Sequence, residues 1–65
     1  MELKDMILSV VYQNPDGMHP LQIVEALAQL GMETNTKQIL KIIDKNPKLF
    51  IEKDGKIKSA SKYSQ

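Results

Sequence analysis

Three amphipathic segments divided by proline and glycine turns, an Asp-Gly ribbon after the third, and a short extended piece before Pro20 predict a small α+β domain of the winged-helix type. In that arrangement three helices lead into a C-terminal β-hairpin wing, and a short strand precedes the second helix. The 65 residues make one domain, 1–65, close to the lower size at which a chain folds without staples. A lone two-stranded ribbon is only marginally stable, so the extended residues before Pro20 are expected to add a third strand beside it.

The first helix, about residues 2–13, places Leu3, Ile7, Val10 and Val11 on one stripe, with Glu2, Lys4, Asp5 and Ser9 largely off it. The following "NPDG" is a stop: Asn14, Pro15 and Gly17 suit the first, second and fourth positions of a type I turn. His19 precedes a proline and is therefore extended, and Pro20 fits the first turn of a helix running to about residue 30. Ile23, Val24, Leu27 and Leu30 form its stripe, and Gly31 suits a left-handed C-cap.

The third helix, about 35–46, has Thr34 or Asn35 as its cap, with Gln38 three residues after Asn35. Ile39, Leu40, Ile42 and Ile43 are expected to face the core, and Asn46-Pro47 ends the helix.

The wing, about 49–59, admits two registers. A two-residue turn at Asp54-Gly55 sets Lys53 opposite Lys56 and Glu52 opposite Ile57, and like charges directly across strands are unfavourable. A three-residue loop, Lys53-Asp54-Gly55, pairs Glu52 with Lys56 and Ile51 with Ile57 instead. The second register is the expected one. It turns Leu49, Ile51 and Ile57 inward, puts Phe50 on the outer face, and points Lys56 and Lys58 outward.

Charge is unevenly spread. Residues 1–36 carry one lysine against five acids, net −4, and residues 37–65 carry eight lysines against three acids, net +5. All nine basic residues are lysine. Lysine neutralises phosphate well but lacks the bidentate fork that reads guanine, so weak sequence preference is expected of any nucleic-acid contact. There is no cysteine and a single histidine, His19, with no acid at ligand spacing around it. No cofactor, metal site, catalytic residue or small-molecule substrate is therefore expected, and His19 reads as a packing or hydrogen-bonding residue. No apolar run reaches the roughly 20 residues that span a bilayer, and the N-terminal stretch does not read as a signal peptide. No membrane partner and no secretion are expected.

The third helix is the informative element. Lys37, Lys41 and Lys45 recur at i, i+4 and i+8 on one exposed face, with only Asp44 to relieve their repulsion. Asn35, Thr36 and Gln38 sit at the N-terminal end, where a recognition helix meets base edges or phosphates. In the wing, Lys53 and Lys58 are the stronger phosphate candidates and Lys56 is shared with Glu52. Double-stranded DNA is the expected partner.

"HPLQIVEAL" opening the second helix, "NPKLF" after the third, and "DGK" followed after five intervening residues by "KY" (Lys62, Tyr63) resemble the core winged-helix domain of the general transcription factor IIE beta subunit. The resemblance runs from about His19 to Tyr63. It implies a domain that binds duplex DNA near the promoter start during transcription initiation, with Lys56 and Lys62 on the basic face. It also implies RNA polymerase or another transcription factor subunit as a partner, and a nuclear location. Without it the expected location is the cytoplasm or nucleoid. Two other readings are a small bacterial or phage regulator binding an operator, and a winged helix used for protein–protein contact within the transcription machinery.

Overall fold

The structure, a computed structural model, describes residues 2–60. Three helices are followed by a two-stranded antiparallel hairpin: α1 (Leu3–Tyr12), α2 (Pro20–Gln29), α3 (Thr36–Lys45), β1 (Phe50–Lys53) and β2 (Lys56–Ser59). Each element lies within one residue of its expected bounds, and the arrangement is compatible with a winged helix.

Two Asn-Pro pairs end helices by the same device. Asn14 Nδ2 donates to the Val10 carbonyl and Asn46 Nδ2 to the Ile42 carbonyl, each at 2.8 Å. Each side chain thus satisfies one of the carbonyls that a helix end leaves without an N–H partner, and the proline after it prevents continuation. The α2 end differs. Gly31, at φ 87°, allows Met32 N–H to reach the Leu27 carbonyl (2.9 Å) and Gly31 N–H the Ala28 carbonyl (3.0 Å), a Schellman closure. At the start of α3, Asn35 rather than Thr34 is the cap, its Oδ1 accepting from Gln38 N–H at 2.8 Å. The Thr34 hydroxyl is buried without a hydrogen-bond partner.

α1 packs on α2, α3 and β2, and α2 packs on α3. Ile7, Val11, Ile23, Leu27, Ile39 and Ile57 form the centre of the core, each at most 1% exposed. Val10, Met18, Ile43 and Phe50 complete it. Each fully buried aliphatic side chain stabilises the fold by about 1.5–3 kcal/mol relative to exposure. Two expected core residues of the helices lie outside. Leu30 is 63% exposed because it is the C-cap itself, where the chain leaves the helical path, and Met32 packs against the core instead. Leu40 is 37% exposed because the core arc is centred on Ile39 and Ile43, and Ile42 occupies its other flank.

The hairpin register corrects the sequence expectation. Phe50 pairs with Ser59, Ile51 with Lys58, Glu52 with Ile57 and Lys53 with Lys56. Asp54 and Gly55 form the two-residue turn, both with positive φ (55° and 78°), the conformation an Asp-Gly pair supplies at low cost. A shift of one residue changes the face of every side chain on a strand. Phe50 is therefore buried, Ile51 is 43% exposed and Leu49 is only half-buried. Glu52 does not hold Lys56, since the two lie on opposite faces. The turn chemistry and the burial of the only phenylalanine outweigh the Lys53–Lys56 repulsion, which is worth at most about 1 kcal/mol.

The expected third strand is reduced to one antiparallel bridge, Met18 to Ile57. Its two hydrogen bonds are reciprocal: Met18 N–H donates to the Ile57 carbonyl at 2.9 Å, and Ile57 N–H to the Met18 carbonyl at 2.7 Å. Pro20, two residues on, lacks an N–H and begins α2, so the ladder has no room to lengthen.

Candidate nucleic-acid interface

α3 is divided lengthwise. Ile39 and Ile43 are buried, while Lys37, Lys41, Asp44 and Lys45 are all exposed. The lysines sit one helical turn apart, as residues at i and i+4 must. Asn35, Thr36 and Gln38 are exposed at the N-terminal end. Asn35 is partly committed: its Oδ1 is taken by the cap, which leaves its Nδ2 as the group to offer a partner.

The second group is on the hairpin. The observed register puts Ile51, Lys53, Lys56 and Lys58 on the face away from Phe50 and Ile57. Lys56 and Lys58 are half-buried because their stems lie against the turn that precedes α2. A Cβ added at Gly17 would meet Lys56 Cβ at 3.0 Å and Lys58 Cγ at 3.3 Å. Gly17, at φ 95° and with no side chain, is what lets the turn approach so closely. Lys53, Lys56 and Lys58 then line a shallow depression of about 250 Å³ with Asp16 and Asp54.

The structure thus gathers Lys37, Lys41 and Lys45 in one row and Lys53, Lys56 and Lys58 in one depression. Lys62 lies outside the described residues. Two neighbours escaped the sequence reading. Asp16 joins the hairpin lysines through a tertiary approach that leaves no trace in local sequence. Lys48 is exposed and lines a depression with Lys45, Asn46, Pro47 and Leu49, and its position three residues after Lys45 was the available signal. Among the described residues no lysine forms an ion pair within 4.0 Å of an acid.

His19 makes a hydrogen bond, in line with its sequence reading. Its backbone N–H donates to Gln22 Oε1 at 2.9 Å, and its ring Nδ1 lies 3.1 Å from the Gly55 carbonyl oxygen. A carbonyl only accepts, so this contact is a hydrogen bond when Nδ1 carries a proton, whereas an unprotonated Nδ1 is placed to cap the Gln22 N–H. Among the described residues no group of three or more His, Cys, Asp or Glu is placed to hold a metal ion, and no helix is long and apolar enough to cross a membrane.

These surfaces can hold anionic groups by charge and hydrogen bonding. No protein-family model, curated protein or solved structure matches the chain.

Proposed function

We propose that the chain is a non-enzymatic winged-helix domain that binds double-stranded DNA in transcription initiation or regulation, mainly through lysine–phosphate contacts with weak sequence preference. The observation that carries this reading is the unpaired positive charge on α3 and the hairpin. Lys37, Lys41, Lys45, Lys53, Lys56 and Lys58 have no ion pair among the described residues. Both groups also bear a like-charge cost. Each i, i+4 lysine pair on α3 costs about 0.2–0.5 kcal/mol, and Lys53 faces Lys56 directly across the hairpin. A phosphate backbone relieves both repulsions, and release of its counterions drives association.

Asn35, Thr36 and Gln38 then meet bases or phosphates at the N-terminal end of α3. RNA polymerase or another transcription factor subunit is the protein partner that the sequence resemblance adds to this reading, together with a nuclear location.

Titration of a duplex at two salt concentrations tests it. The expected log–log slope is about −0.9 per phosphate contact, so several contacts give a steep loss of affinity with salt. Affinity that is absent, or independent of salt, overturns the proposal.

A second reading, a winged helix that docks on another protein, is favoured by two leucines at either end of α2. Leu21 is 59% and Leu30 63% exposed. NMR shift changes on adding duplex separate the two readings. Changes confined to α3 and the hairpin support DNA, and an unresponsive spectrum supports the protein contact.

A further inference from the structure

We infer that His19 is a positioning residue for the wing and that its protonation strengthens the wing's hold on phosphate; only the second half of this inference rests on the DNA-binding reading. The side-chain hydrogen bonds of Asn14, Gln22, Asn35 and Asn46 join residues three or four apart. The His19–Gly55 bond instead spans 36 residues. It joins the first residue before α2 to the turn at the wing tip. Directly beside it, Met18 exchanges two backbone hydrogen bonds with Ile57. Two successive residues thus grip the wing at two points, one through backbone and one through a titratable ring.

The chemistry of the ring gives the bond a direction with pH. In the neutral form one ring nitrogen holds a lone pair: the Nδ1–H tautomer donates to the Gly55 carbonyl, and the Nε2–H tautomer leaves Nδ1 to accept from the Gln22 N–H. Protonation puts a hydrogen on both nitrogens, so Nδ1 can only donate and Gly55 is the acceptor it faces. The contact to Gly55 is then a charge-assisted hydrogen bond. The His19 side chain is exposed.

The charged groups around the joint are Asp54 and Lys56, which flank Gly55, then Lys53 opposite Lys56, and Asp16 in the preceding turn. The first turn of α2 contributes only uncharged Pro20, Leu21 and Gln22. The added cation thus stands beside the depression that Lys53, Lys56 and Lys58 line. Falling pH makes the wing tip better held and more positive.

Three forms of the full chain test this: the natural protein, His19→Asn and His19→Ala. Asparagine places an amide nitrogen where the imidazole Nδ1 stood, so it keeps a donor to Gly55 without titrating. In the natural protein the backbone amide of Lys56, which shares its peptide group with the Gly55 carbonyl, is expected to shift in step with the His19 ring across a pH titration. In H19N that shift is expected to vanish, and in H19A hydrogen exchange at the wing tip is expected to quicken.

Duplex affinity of the natural protein is expected to rise about two- to fivefold from about pH 8 to about pH 5.5. In H19N it is expected to lack that rise. A Lys56 amide that ignores the ring overturns the positioning role, whether or not DNA binds. An equal rise in H19N overturns the proton linkage. Absence of duplex binding in every form overturns the DNA-binding reading and the affinity half with it, while the amide titration still decides the positioning half.

Discussion

α3 and the hairpin both present three lysines, but they hold them by different means. On α3 the lysine row is a consequence of helical periodicity, and nothing outside the helix is needed to align it. On the hairpin the lysines converge only because the register is what it is, and because the Gly17 turn lies close against the stems of Lys56 and Lys58. One basic surface is local, and the other is tertiary. A helix tolerates an error of one position in reading its face, whereas a strand does not, because its side-chain period is two.

The sharpest way to break this comparison is to challenge the register. Phe50→Ala is expected to cost about 3–5 kcal/mol, since it empties a buried aromatic site. Ile51→Ala is expected to cost less than about 1 kcal/mol, since that side chain lies on the outer face. Chemical denaturation of the two variants measures both. A larger loss for I51A would show that Ile51, not Phe50, faces the core.

Next in size is the α3 row. The double variant Lys37→Glu with Lys41→Glu is expected to weaken duplex binding by about a hundredfold or more, with the salt slope falling by about 2. Its fold is expected to stay intact, because both positions are exposed. Circular dichroism beside the salt titration checks each half. Unchanged affinity would leave the hairpin as the remaining candidate surface.

The smallest effect is the most specific to the hairpin. Lys53→Glu replaces a repulsive cross-strand pair with an attractive one opposite Lys56. Stability is expected to rise by about 0.2–1 kcal/mol while duplex affinity falls. A thermal melt and a titration on the same sample read both directions. Under the other register the substituted position would lie in the loop, and the new carboxylate would bring no such gain.

Most of the fold was legible in the sequence. Asn-Pro stops, Pro20 and Gly31 marked the ends of the helices to within a residue, because caps and breakers act on the backbone nearest to them. The two misplaced leucines were a matter of arc rather than of period. Leu30 follows the helical stripe on paper, but the Schellman closure diverts the chain there and gives its place to Met32. Leu40 is adjacent to Ile39, and one side of a helix cannot bury four such positions.

The candidate site was legible in the same proportion. The α3 lysines follow from spacing alone. Lys53, Lys56 and Lys58 were named from the sequence, yet with the wrong neighbours: Lys56 was paired with Glu52, and Asp16 was missed. The register follows the turn type and the burial of Phe50 rather than the cross-strand charge pair. The charge pair is worth a fraction of what the burial contributes.

The sequence by itself determined three helices, their caps, a hairpin and a chain with an acidic first half and a basic second half. Each of these rests on interactions within a few residues. Only the tertiary structure decided which face of the hairpin is buried, how much of a third strand forms, and that His19 reaches Gly55. Those outcomes depend on which distant surface can be filled, and a competition of that kind is settled by packing the whole core at once.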